Sequence, residues 1–227
     1  MLRPLFTAIV EYILAFLVFK YGKIHKNIFF VILFLLATYQ LGEVVIFLTN
    51  GNEIGFKIAY IATTLLPPLG VLLIEKITKK NYGYPLFQLV GIGFALYMLI
   101  VPAIALKFEL GPFCVRVFQY DSIIASYWGI YYQATLFYSM VLMMWGIFQS
   151  KSKNIQSILI NILLGYLTFN VLTFVITYFV PWLQYSSASL MCALAFISAF
   201  IFTKISLAEN LKIIYKRALK FGLSLNH

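Results

Sequence analysis

The sequence predicts an all-α membrane protein, a bundle of seven transmembrane helices, on three observations. The 227 residues are 63% hydrophobic and only 11% charged, which leaves too little polar surface to clothe a water-soluble domain. Apolar runs of bilayer length follow one another along the chain. Lysine and arginine gather in alternate connections between those runs, the pattern that orients membrane proteins.

The runs cover residues 2–19, 28–48, 58–74, 86–106, 123–148, 155–180 and 183–202. Each is apolar on all faces, which excludes barrel strands, where apolar and polar residues alternate. A basic cluster from Lys20 to Lys26 follows the first run and no small-residue cleavage site precedes it. That run therefore reads as helix one and not as a cleaved signal peptide. The connections KYGKIHKN, TNGNEIG, EKITKKNYGY and QSKSKN are short, KFELGPFCVRVFQYD is the longest loop, and Pro181 separates the last two runs.

With the N-terminus outside and the C-terminus cytoplasmic, 13 of the 17 basic residues fall inside, leaving Arg3, Lys57, Lys107 and Arg116 outside. The chain is expected to be a multi-pass protein of the cell membrane, with a transmembrane domain over 1–206 and a cytoplasmic tail over 207–227. In the tail, Leu207, Leu211, Ile214, Ala218 and Phe221 recur at helical spacing opposite Lys212, Lys216, Arg217 and Lys220. A basic amphipathic helix of this kind lies on an anionic inner leaflet, docks a cytoplasmic partner, or pairs with a second copy. The formal net charge of +10 then reflects topology and lipid contact, not nucleic acid.

Polar groups inside the runs carry the functional expectation, because each is costly in lipid and faces the bundle interior. Glu11 lies near the middle of helix one; Glu43 lies in the outer third of helix two, with Gln40 one turn deeper on the same face. Thr64 on helix three, Tyr132 and Gln133 on helix five, and Asn170 on helix six extend a polar band through the outer half. We expect Glu11, Gln40, Glu43, Thr64, Tyr132, Gln133 and Asn170 to line a ligand-binding cavity. The glutamates would serve as a proton or cation site or anchor an amine-bearing ligand; alternatively, these groups join helices by hydrogen bonds.

Pro67 and Pro68 each remove a backbone donor and should kink or open helix three, with Thr63 and Thr64 re-satisfying the freed groups. Tyr127, Trp128, Trp182 and Tyr185 are expected at the outer interface and Trp145 at the inner one. Cys114 and Cys192 differ in depth and read as free thiols. His25 and His227 are peripheral, so neither a histidine-built metal centre nor a Ser/His/Asp relay can form in the bilayer. No metal, cofactor or enzymatic activity is expected.

TYQLGEVVIFL, with Gln40 and Glu43, resembles the QxxEG-type second helix of an uncharacterised prokaryotic seven-helix membrane family. PPLGVLLIEK, YYQATLFYSM and SLMCALAFISAF, with Cys192, are similar to its third, fifth and seventh helices. The resemblance implies the seven-helix fold and points to Gln40 and Glu43 without implying a reaction. More loosely, the loop LGPF and the segment IAYIATTLLPPL are similar to the N-terminal seven-helix sensor region of bacterial histidine kinases. The functional expectation is a receptor-like or sensory protein binding a small ligand or lipid; the alternative is a small-solute or proton-coupled transporter using the intramembrane glutamates.

Overall fold

The computed structural model describes residues 2–110, 115–179 and 196–208, which form a mostly helical protein carrying a β-hairpin. In chain order the elements are α1 (Leu2–Tyr21), α2 (Lys26–Leu48), α3 (Glu53–Thr78), α4 (Tyr84–Ile100), β1 (Ala105–Leu110) and β2 (Val115–Tyr120). A π-helical turn (Ile124–Trp128) leads into α5 (Gly129–Gln149), followed by α6 (Lys153–Phe179) and α7 (Phe196–Ala208). Three helices, Pro4–Tyr21, Lys26–Leu48 and Glu53–Thr78, are long and apolar enough to cross a membrane, and the chain is a membrane-associated protein.

Helix α3 is the hub: it packs against α2, α4, α5 and α6 and is buried from Gly55 to Ile77 on successive turns. Helix α1 joins through α2, presenting Ala8, Glu11, Ala15 and Val18 at three-and-four spacing. Lipid is as apolar as leucine, so such helices associate through close van der Waals packing rather than through expulsion of water. Small residues make that possible where α2 crosses α3. A Cβ on Gly42 would sit 2.7 Å from the Ala59 backbone nitrogen, and one on Gly55 would sit 2.8 Å from that of Ile46.

Two apolar clusters result. One gathers Phe29, Leu33, Leu73, Ile74, Met143, Leu159 and Phe202 from α2, α3, α5, α6 and α7. The other gathers Ile46, Phe56, Met98, Ile104 and Ile124 beneath the hairpin. The lysine-rich turns share the first end: the Lys23 backbone N–H donates to Ser206 O at 3.1 Å, and Lys80 bonds Gln149. At that end, partial burial and the neighbouring Lys76 hold the His25 imidazole below its usual range. At the other end Lys57 Nζ donates to Leu99 O at 3.1 Å, and the Ile104 N–H donates to the Glu53 carboxylate.

The structure corrects three expectations. The 86–106 run does not stay helical: α4 ends at Ile100, and the segment read as a loop is an antiparallel hairpin in which Ala105 pairs with Tyr120 and Leu110 with Val115. The fold is therefore not purely α. Alternation in LKFEL and VRVFQY favours strands, and Phe108 anchors the hairpin with its ring 5.0 Å from that of Phe56. Second, α3 does not open at Pro67 and Pro68, which both lie inside one continuous helix. Third, Thr63 and Thr64 donate to Ala59 O and Tyr60 O, at 2.7 and 2.6 Å, and not to the carbonyls that the prolines free. Cys114, Trp182, Tyr185, Cys192 and the tail from Glu209 onward lie outside the described residues.

Two predictions follow the packing and the hairpin anchor. Gly42→Ala should destabilise the protein by roughly 1–3 kcal/mol through forced separation of α2 and α3. Gly93→Ala, with nothing within 4 Å of its added Cβ, should be neutral or gain up to about 1 kcal/mol; thermal unfolding in detergent compares them. At Asp121, the Tyr97 hydroxyl (2.7 Å) and the Ile123 N–H (3.0 Å) hold the carboxyl below the usual carboxylate range. A depressed folded value means the contribution is present above the unfolded value of about 3.9 and is lost as pH falls through the folded one. Hydrogen exchange of the hairpin should accelerate below about pH 4, and Asp121→Asn should abolish that step.

Candidate functional site

Between the two apolar clusters lies a layer of buried polar side chains: Glu11, Gln40 and Thr64 are fully buried and Glu43 is 3% exposed. The layer arises from the stripe pattern of each helix. On α2, Phe29, Leu33 and Leu36 lead up to Gln40 and Glu43, and Ile46 resumes the apolar stripe above them. The Tyr12 hydroxyl lies 3.2 Å from that of Thr38, and the Tyr12 ring packs edge-on against Phe34. This register places Glu11 beside the turn of α2 that precedes Gln40. Helical side chains lean toward their own N-terminus, so in this antiparallel pair Glu11 and Gln40 lean toward a common level. Neither carboxyl oxygen of Glu11 and neither polar atom of Gln40 has a hydrogen-bond partner among the described residues.

Glu43 is held differently. The Tyr39 hydroxyl, one turn earlier, donates to its Oε1 at 2.8 Å, and Tyr60 of α3 lies within its electrostatic reach. The Tyr60 ring in turn packs edge-on against that of Tyr120 of β2, their centroids 5.8 Å apart. The hairpin is thereby joined through Tyr120 to Tyr60 of α3.

Thr64 is committed to structure. Its hydroxyl donates to Tyr60 O and accepts from Trp128 Nε1 at 2.8 Å. The Trp128 indole stacks on Tyr132 with centroids 5.3 Å apart and approaches Tyr60 at 5.2 Å. The Thr64 carbonyl, which Pro68 cannot engage because it lacks an N–H, accepts from the Tyr131 hydroxyl at 3.2 Å. One residue of α5 thus repairs the hydrogen bond that a proline of α3 removes.

Of the residues expected from sequence, Glu11, Gln40, Glu43, Thr64 and Tyr132 are each buried. Gln133 is exposed on α5 and does not join them; Asn170 falls on α6, its side chain outside the described residues. Of the aromatic residues expected at the interfaces, Trp128 donates its indole N–H to Thr64, while Tyr127 and Trp145 are exposed. Sequence reasoning missed Tyr39, Tyr60 and Tyr120. Tyr39 was accessible to it, since residues four apart on a helix meet; the Tyr60–Tyr120 link depends on the hairpin. Among the described residues, no three His, Cys, Asp or Glu side chains converge to hold a metal. The layer offers carboxyl, amide and phenol groups suited to binding a small polar molecule.

Tyr131→Phe should orphan the Thr64 carbonyl and cost about 1–3 kcal/mol. In a Pro68→Ala background the restored N–H can bond that carbonyl, so the same substitution should cost about 1 kcal/mol less. Equal costs in the two backgrounds, measured by thermal unfolding, would refute the compensation. Comparison of the chain with protein-family models, curated proteins and solved structures finds no match.

Proposed function

We propose that the protein is a receptor-like or sensory membrane protein of seven transmembrane helices, N-terminus outside, that binds a small ligand or lipid in its outer-half polar layer. The observation that carries this reading is the gathering of Glu11, Gln40 and Glu43, all nearly or fully buried, between the two apolar clusters. Buried polar groups without a partner cost about 1–3 kcal/mol each, and Glu11 and Gln40, which have none among the described residues, would persist where a ligand repays that cost. The Tyr120–Tyr60 contact with the neighbourhood of Glu43 supplies a route by which binding would be felt at the outer hairpin. Segregation of the lysine-rich turns to the opposite end supports a cytoplasmic placement for that end. The tail over 207–227 would then lie on anionic inner-leaflet lipid or engage a cytoplasmic partner or a second copy.

One observation favours a transporter instead: Glu11 sits mid-helix without a partner among the described residues, as a carboxyl that carries a proton would. Substrate-driven proton flux in liposomes, lost in Glu11→Gln, would decide for that reading.

The receptor reading is tested by native mass spectrometry of the protein from mild detergent, wild type beside Glu43→Gln. A stoichiometric small-molecule or lipid adduct, lost in the variant, is the expected result. No adduct on either protein, with the two equally stable, would leave Glu43 as a purely structural side chain and end the proposal.

A further inference from the structure

We propose that the exposed seam between α1 and α2 binds one anionic phospholipid, its phosphate on Lys20 and Lys26 and an acyl chain along the neighbouring aromatic rings. The site lies outside the polar layer and rests on α1 and α2 spanning the bilayer, for which both are long and apolar enough. Two stripes of four-residue spacing form it: Lys26, Phe30, Phe34 and Thr38 on α2, and Lys20, Phe16 and Tyr12 on α1, with Phe19 beside them. The rings interlock across the two helices. Phe30 meets Phe19 at 5.1 Å, Phe16 at 6.5 Å and Phe34 at 5.8 Å between centroids, and Phe34 meets Tyr12 at 5.4 Å. Phe16, Phe19 and Phe34 are nonetheless 60%, 52% and 40% exposed. The exposed face of α4, with Leu86, Leu89, Leu96 and Leu99, is aliphatic by contrast.

The two ends of the seam differ in chemistry. At one end, Lys26 Nζ lies 5.7 Å from the Phe19 ring centre and Lys20 Nζ 5.2 Å from that of Tyr21. No Asp or Glu occurs between Glu11 and Glu43 to neutralise these lysines. Glu75, the acid at the same end of α3, accepts the Tyr82 and Tyr84 N–H groups instead, at 2.8 and 3.0 Å. At the other end the Thr38 hydroxyl donates to Phe34 O at 2.8 Å, so the Tyr12 hydroxyl is the donor in their 3.2 Å contact. Both hydroxyl protons are used there, which suits a hydrocarbon chain and not a headgroup. At about 1.5 Å per residue the stripes run about 12 Å along α1 and about 18 Å along α2. The hydrocarbon of one leaflet is about 15 Å deep, half of a core of about 30 Å. A lipid with its phosphate at the lysines therefore keeps its chain beside the rings through its own leaflet.

A second copy of the chain is the competing occupant. Copies oriented alike in a membrane pair about a two-fold axis, which sets each patch against itself. Lys20 and Lys26 would then face their own counterparts, and like charges across an interface are costly. A phosphate turns the same two charges into attraction. Dispersion contact with preformed rings then holds the chain, where lipid surroundings offer no hydrophobic drive.

The test is native mass spectrometry of the full chain, delipidated in neutral detergent and titrated with dioleoylphosphatidylglycerol. Dioleoylphosphatidylcholine, which has the same chains and no net charge, is the matched lipid. The expected result is one saturable phosphatidylglycerol adduct, bound more tightly than phosphatidylcholine. Lys20→Gln/Lys26→Gln should weaken it about 30-fold. Lys151→Gln/Lys153→Gln, which removes the same charge from the turn between α5 and α6, should change it by less than about threefold. Phe16→Leu/Phe34→Leu should weaken both lipids by the same factor and leave the preference between them intact. All six positions are exposed, so the variants are expected to fold. Equal binding of the two lipids, an equal loss in Lys151→Gln/Lys153→Gln, or unchanged binding in Phe16→Leu/Phe34→Leu would overturn the proposal. A dimer lost in the ring variant, with no lipid adduct, would overturn it in favour of a second copy.

Discussion

Inside a membrane every backbone N–H and C=O must find a partner within the protein, and in this chain the demand is sharpest at the centre of α3. Two consecutive prolines there withdraw two donors, yet the helix continues without a break. The Tyr131 hydroxyl takes the Thr64 carbonyl, and the Trp128 indole takes the Thr64 hydroxyl. Those two bonds position the start of α5 against α3. The Tyr131 ring then meets Phe94 of α4, with centroids 5.2 Å apart, and a Cβ on Gly91 would lie 2.5 Å from the Tyr131 hydroxyl. A defect in one helix thereby organises the packing of two others.

The same centre separates the two apolar clusters and leaves the polar layer between them. On the α5 side that layer is internally satisfied: Thr135 and Ser139 donate to carbonyls one turn back, at 2.7 and 2.9 Å. On the α1–α2 side it is not, because Glu11 and Gln40 have no partners among the described residues. Glu43 occupies a middle position, tied to Tyr39 and adjacent to the Tyr60–Tyr120 pair. The asymmetry divides the layer into polar groups bonded within the bundle and polar groups without a partner among the described residues.

Much of this was legible in the sequence, and the failures have physical causes. Helices α1, α2 and α3 follow from their apolar runs, and the burial of Glu11, Gln40 and Glu43 follows from the cost of exposing such groups to lipid. The hairpin was hidden because hydropathy over a long window averages away a period-two pattern, so Leu106 was absorbed into a helix and Phe108 into a loop. Gln133 was grouped with Tyr132 on depth alone, although adjacent helical residues point about 100° apart and only Tyr132 faces inward. The indole N–H of Trp128 bonds a hydroxyl on α3, a partner that no local pattern announces. The compensation of Pro68 by Tyr131 spans 63 residues of sequence and could be seen only once the helices were placed.

The π-helical turn from Ile124 to Trp128 sets the rotational phase of everything that follows it. Such a turn closes its hydrogen bonds five residues apart instead of four and accommodates one residue more than an α-helical turn. Loss of a single residue there would turn the face of α5 by about 100° relative to α3. Tyr131 would move to the exposed place of Ile130, Tyr132 would take the place of Tyr131, and the outward amide of Gln133 would be carried into the buried place of Tyr132. The turn therefore acts as an angular spacer, and the identity of the side chains that α5 contributes to the polar layer is written in its length as much as in its composition.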